Sequence, residues 1–104
     1  MAIITQDYGS VGGTDISKIY DESNIFASGS WVDTGIKPTA SFTFIYAWGT
    51  DGVTFGSWVY DKSTDQISAV YGISRVACQI GSNNTIEVKS TQTAYPILHV
   101  QIYG

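Results

Sequence analysis

Short segments in which apolar and polar side chains alternate run through this chain to its last residues, and most carry little charge. In two of them, apolar or aromatic side chains fall on one face, and these are Phe42, Phe44, Tyr46 and Trp48 in one segment and Leu98, Val100 and Ile102 in the other. An alternation of period two is typical of a β-strand with one side packed against a core. The sequence therefore predicts an all-β protein.

Turn signals rich in Gly, Asn, Asp and Pro divide the alternating part into segments. The predicted strands are 24–34, 40–48, 53–60, 66–73, 75–80, 85–90 and 95–103. Residues 15–23 fit either a short strand or a helical turn. Seven or eight strands at a spacing of about eight to twelve residues favour an antiparallel β-sandwich of jelly-roll-like or Greek-key order over a closed barrel.

Two pairings follow from the turns. Thr50, Asp51 and Gly52 stand between 40–48 and 53–60, and Asp-Gly between alternating runs is a strong hairpin signal. Segment 75–80 follows 66–73 almost directly, so we expect these two to pair. Two consecutive Asn in the turn 81–84 suit backbone with positive φ.

The N-terminal residues 1–14 differ from the rest in composition. An apolar run at residues 2–4 is followed by glycines at 9, 12 and 13, which predicts a flexible arm or linker. The remaining residues 15–104 then form one sandwich domain. We expect Ile3, Ile4 and Tyr8 of the arm to contact a neighbouring subunit.

Charge and length exclude several classes of protein. Only 13% of the residues are charged, against roughly 25% in a typical soluble protein, and the net charge is −4. The five basic residues are scattered, whereas nucleic-acid binding needs a concentrated basic stripe. The N-terminus lacks the features of a signal peptide, and no segment approaches the ~20 apolar residues of a membrane span. We therefore predict neither nucleic-acid binding nor membrane insertion.

The sequence contains no recognisable set of catalytic or metal-binding residues. His99 is the single histidine, and it lies opposite the apolar face of the last strand. Cys78 is the single cysteine, and it shares a face with Val76 and Ile80, as a small buried apolar residue would. The carboxylates are scattered, and Asp51, Asp61 and Asp65 lie in or beside turns. The sequence predicts no enzyme, no metal site and no cofactor.

The candidate binding residues are aromatic, namely Trp58, Tyr60 and Trp48. In 53–60, Trp58 and Tyr60 share a face with Gly56, opposite Val53 and Phe55, which look like core residues. If so, Trp58 and Tyr60 are exposed beside a glycine and, with Trp48, suit stacking on a sugar ring. Two alternatives stay open: this face is itself the core, or it is buried against another subunit.

Three strings resemble small tail or baseplate-associated proteins of phages and prophages of Gram-positive bacteria. They are MAIITQDYGSVGG at residues 1–13, SGSWVDTGIKP at 28–38 and HVQIYG at 99–104. No functional residue is carried over from that group. The resemblance implies a virion protein of the tail, made in the host cytoplasm without a signal peptide. It also implies a homo-oligomer, with a trimer favoured, and a host cell-surface glycan as a partner.

The predicted function is thus a non-enzymatic phage or prophage tail module that acts by oligomer assembly and surface binding. The alternative is a stand-alone carbohydrate-binding, lectin-like module. A small hydrolase is a third hypothesis, which would need two carboxylates about 5–10 Å apart in a cleft.

Overall fold

The computed structural model of this chain describes residues 10–11, 14–27, 29–91 and 97–104. Ten strands lie in these residues, namely β1 (Ser10–Val11), β2 (Thr14–Asp15), β3 (Lys18–Phe26), β4 (Val32–Asp33), β5 (Phe42–Trp48), β6 (Phe55–Asp61), β7 (Gln66–Ser74), β8 (Val76–Ile80), β9 (Ile86–Ser90) and β10 (Ile97–Tyr103). The predicted all-β class is confirmed. Among the described residues, no helix has the length and apolar composition needed to cross a membrane.

Two main sheets are built entirely from antiparallel pairs. The larger has the order β3-β10-β5-β6-β7 and the smaller the order β4-β9-β8, while β1 and β2 pair with each other. Strands β5, β6 and β7 are neighbours in chain order. After β8 and β9 in the smaller sheet, the chain returns to the larger sheet, where β10 lies beside β5. The spatial order β10-β5-β6-β7 is that of a Greek key, one of the two predicted strand orders.

The core lies between the inner faces of these sheets. The larger sheet contributes Ile45, Ala47, Trp58, Tyr60, Leu98, Val100 and Ile102, and the smaller contributes Val76, Ile86 and Val88. The predicted apolar face of β10 is therefore confirmed as a core face. Because side chains from both sheets form one buried cluster, the arrangement is sandwich-like.

The hairpin between β5 and β6 forms where the sequence predicts it. Asp51 Oδ1 accepts hydrogen bonds from the backbone N–H groups of Val53 and Thr54 at 3.0 and 2.8 Å, and its Oδ2 accepts one from the Thr54 hydroxyl at 2.6 Å. These bonds hold the pKa of Asp51 below its usual value, the Thr54 hydroxyl contributing most. Gly52 has φ +79°, a conformation that glycine adopts without strain. Asn84 has φ 62°, in agreement with its predicted role.

One predicted strand pairing and one predicted division into strands are wrong. Strand β8 pairs with β9 and not with β7, because the chain passes from one sheet to the other at Arg75, which has φ 64°. The segments 15–23 and 24–34 are also divided differently. A single strand, β3, covers 18–26 and confirms the strand alternative, and the chain then turns at Gly29 with φ 65° to enter the smaller sheet.

The predicted faces of β6 are reversed. Trp58 and Tyr60 are buried, with 4% and 7% of their surface exposed, whereas Val53 and Phe55 are 43% and 39% exposed. The alternative in which this face is the core is therefore correct. Gly56 explains the choice, because a Cβ there would lie 2.6 Å from Cη2 of the Trp58 indole. The missing side chain leaves room for the indole inside the sandwich.

Cys78 lies on the core side of β8 and packs against the buried cluster, as the sequence predicts. Burial raises the pKa of its thiol to about 12, which is typical of a structural rather than a reactive cysteine.

The predicted N-terminal arm lies largely outside the described residues. This applies to Ile3, Ile4 and Tyr8, the residues expected to contact a neighbour. Within the segment, Ser10–Val11 pairs with Thr14–Asp15 in a short antiparallel ladder.

Replacing Gly56 by alanine tests the packing that selects the buried face. We expect Gly56→Ala to lower the free energy of unfolding by about 1–3 kcal/mol, because the new methyl group meets the Trp58 indole and the Val76 side chain. Urea unfolding followed by tryptophan fluorescence measures the change.

Gly72→Ala in β7 is the matched control. No atom lies within 4 Å of a Cβ placed at this position, so we expect no loss and a gain of at most about 1 kcal/mol. Equal stabilities for the two variants would contradict the described packing.

Candidate binding face

Among the side chains that the structure describes, most of the exposed aromatic ones lie on the outer face of the larger sheet. Its rings belong to strands β5, β6 and β10, and they are Phe42, Phe44, Tyr46, Trp48, Phe55 and Tyr103. We call this surface the aromatic face. It exists because Thr43, Ile45 and Ala47 are the buried residues of β5, so the alternating aromatic residues point away from the core. The prediction that the aromatic side of β5 packs against the core is therefore wrong.

Strand register arranges the aromatic face in three rows that cross the strands. The central row contains side chains with hydrogen-bonding groups, Asp21, Gln101, Tyr46 and Ser57. We call it the polar row. One flanking row contains Tyr103, Phe44 and Val59, and the other contains His99, Trp48 and Phe55. The polar row is therefore bordered on both sides by flat rings and apolar side chains.

A groove of about 780 Å³ runs over this part of the sheet. Its lining includes residues of all three rows together with Ile16 and Gly72, while Asp21 and His99 lie beside it and do not line it. The volume lies within the range of about 300–1,000 Å³ that is usual for small-molecule sites. The aromatic face thus carries an open depression of ligand-sized volume.

Asp21 is the charged residue at the β3 end of the polar row. Its Oδ2 accepts a hydrogen bond from Lys18 Nζ at 2.9 Å, and its Oδ1 lies 2.6 Å from Nε2 of His99. These contacts lower the pKa of Asp21 to about 2. The hydrogen bond from Lys18 has the largest effect, followed by that with His99, and Gln101 contributes less. Asp21 is consequently a carboxylate at any physiological pH, held in a fixed orientation.

Ring contacts fix the side chains beside this carboxylate. The ring of His99 is stacked on Trp48, with centroids 4.4 Å apart and planes 22° from parallel. Tyr46 meets Tyr103 edge to face at 5.8 Å, and the Tyr103 hydroxyl donates to Oε1 of Gln101 at 3.1 Å. Each such ring pair contributes about 0.5–1.5 kcal/mol. The polar and aromatic groups are therefore positioned before any ligand arrives.

This arrangement provides what recognition of a polyhydroxylated ring requires. A carboxylate accepts hydrogen bonds from hydroxyl groups at about four lone-pair positions, and an amide both donates and accepts. Aromatic faces carry negative charge density that attracts the C–H groups of a sugar ring.

In the described residues, no three His, Cys, Asp or Glu side chains come together in a way that would hold a metal ion.

One of the three predicted carbohydrate-binding residues lies on the aromatic face. Trp48 is 36% exposed there, whereas Trp58 and Tyr60 point into the core and cannot stack on a ligand. Sequence reasoning overlooked Asp21, His99 and Gln101 as a group. The outward direction of His99 was predicted and is confirmed, but its neighbours become visible only when the register of β3, β10 and β5 is known.

The smaller sheet offers a useful comparison with Trp48. Trp31, next to β4, is 37% exposed, and the Nζ of Lys89 lies 4.6 Å from the centroid of its ring. Trp31 therefore matches Trp48 in residue type and exposure while it lies beside the other sheet.

Asp21→Asn tests the electrostatics of the polar row. The pKa of Asp21 is lowered in the folded state, so the carboxylate stabilises the fold above the unfolded pKa of about 3.9. This stabilisation is lost as the pH falls through about 2. We expect the Asp21→Asn variant to have a lower urea midpoint than wild type at pH 7, and the difference between the two to vanish towards pH 2.

Glu22→Gln removes a carboxylate from the same strand but outside the contacts with Lys18 and His99, so it should shift the midpoint less. A difference between Asp21→Asn and wild type that is independent of pH would contradict the assignment.

Comparison with known proteins gives no match for this chain, whether with protein-family models, with curated proteins or with solved structures. The resemblance of its three strings to phage tail proteins therefore stays a prediction from the sequence.

Proposed function

We propose that this protein is a non-enzymatic recognition module that binds carbohydrate on its aromatic face. The observation that carries the proposal is the polar row of Asp21, Gln101, Tyr46 and Ser57 between two rows of rings and apolar side chains. Hydrogen-bonding groups in a plane with flanking rings match the two surfaces of a sugar, its hydroxyl edge and its C–H faces.

The biological setting of the proposal comes from the sequence resemblance. Phage and prophage tail proteins meet a host surface, and a glycan-binding face is a property that such a component needs. We accordingly propose the virion tail as the location and a host cell-surface glycan as the partner. Mass spectrometry of purified phage particles from the source of the sequence tests the location.

A second candidate function uses the same surface as an interface between identical subunits. It is favoured by Phe42 and Phe55, which are 52% and 39% exposed and enlarge the apolar area of the aromatic face. Large apolar patches on a single chain mark interaction sites of several kinds. Carbohydrate binding is preferred because the hydrogen-bonding side chains of Gln101, Tyr46 and Ser57 run through the middle of the patch, whereas the buried core of a subunit interface is more apolar.

Loss of Trp48 tests carbohydrate binding. A glycan array identifies the ligand, and titration calorimetry then gives the dissociation constant. We expect Trp48→Ala to weaken binding at least about tenfold, because a central aromatic side chain supplies much of the energy of such a contact. Trp31→Ala should bind as wild type does, and both variants should remain folded by circular dichroism. Failure of every glycan on the array to bind would overturn the proposal.

A charge in the aromatic face tests the subunit-interface candidate. Under the proposed function, Phe55→Glu leaves the solution mass by light scattering equal to that of wild type. Val53→Glu, at a similarly exposed position of the adjoining turn, is the control. A wild-type oligomer that only Phe55→Glu dissociates would show that the face joins subunits and would favour the second candidate.

A further inference from the structure

The direction of the polar row relative to the strands indicates the form of the ligand. Its four residues occupy β3, β10, β5 and β6, one on each strand, in directly paired positions. Neighbouring strands lie about 4.8 Å apart, so the row extends about 14 Å across the sheet. This length exceeds that of one sugar ring.

The flanking rows restrict a ligand to that direction. Paired rows on one face are two residues apart along a strand, which is about 7 Å. A ligand that runs along the strands would lie over the rings of Phe44 or Trp48, which carry no hydroxyl group, whereas one that runs across them meets a hydrogen-bonding group on each of four strands, including the hydroxyl of Tyr46. The rings then border both sides of the ligand.

The groove receives no side chain from Gly72 at one edge of the sheet, and the polar row ends on a partly exposed carboxylate at the other. At the β7 edge the groove is bordered by Gly72, and no atom lies within 4 Å of a Cβ placed there. At the β3 edge the row ends on Asp21, whose side chain is 37% exposed. Gly72 therefore adds no side chain to the groove at that edge, and the residue paired with Ser57 on β7 is Tyr71.

We infer that the ligand is an extended oligosaccharide or polysaccharide chain lying across the strands, with about three sugar rings along the polar row, and not a terminal monosaccharide. This inference rests on the proposed function and specifies the class of its ligand. Asp21 and Gln101 contact the ring at the β3 end, and Ser57 contacts the ring over β6. Trp48 and Phe44 border the ring between them.

A length series of the glycan selected on the array tests this inference. The probes are its monosaccharide to its hexasaccharide, with calorimetry as the readout. We expect the affinity to rise at least about tenfold from the monosaccharide to a chain of about three rings, which spans the polar row. Beyond that length the affinity should level off.

Gly72→Leu supplies a second, independent measurement. The added side chain fills the groove at the β7 edge, so it should weaken binding of the hexasaccharide several-fold while a disaccharide binds as before. Ala69→Leu, an exposed position of β7 on the other side of the strand, is the control and should change neither.

The outcomes separate the two levels of the proposal. If the monosaccharide binds as tightly as the hexasaccharide and Trp48→Ala abolishes both, the face binds carbohydrate but the chain-like ligand is wrong. If no member of the series binds, the proposed function fails together with this inference. A length-dependent affinity that Trp48→Ala leaves unchanged would place the site elsewhere and overturn both.

Discussion

The packing of the Trp58 indole over Gly56 is the contact on which the rest of the structure depends. Both strands of the central hairpin carry bulky side chains on two faces, so either face could have been buried. A glycine at 56 opens space on one side only, and the indole fills it against Val76 of the smaller sheet. Once this side is buried, antiparallel register places every aromatic residue of β5 on the outer surface.

That outcome explains the unusual surface of the protein. A chain with 13% charged residues has few Lys and Glu side chains with which to cover a sheet, and the large aromatic residues take their place. Ring contacts and hydrogen bonds that involve Trp48, His99 and Tyr103 hold this surface in order. Preorganised groups lose little conformational freedom when a ligand binds, so the arrangement favours recognition.

The charges near the β3 edge complement the rings. Lys18 and His99 both contact Asp21, which remains ionised and fixed in place. A charge-assisted hydrogen bond is roughly twice as strong as a neutral one, so this carboxylate is the strongest acceptor that the aromatic face presents. Because Asp21 lies at one end of the polar row, the two ends of the row differ in charge. This difference can orient a bound chain.

The sequence by itself determined the class of fold, most strand positions, the hairpin at Asp51–Gly52 and the buried face of β10. These features depend on alternation and on turn residues, which are local. The buried face of β10 could be predicted because its two faces differ clearly, with Leu98, Val100 and Ile102 on one side. Strands β5 and β6 could not, because both of their faces carry apolar or aromatic residues. Only the tertiary structure decided which face was buried, since that choice depends on space beside Gly56 and on the second sheet. It also decided that Asp21, His99 and Trp48 meet, because the register of strands distant in sequence brings them together.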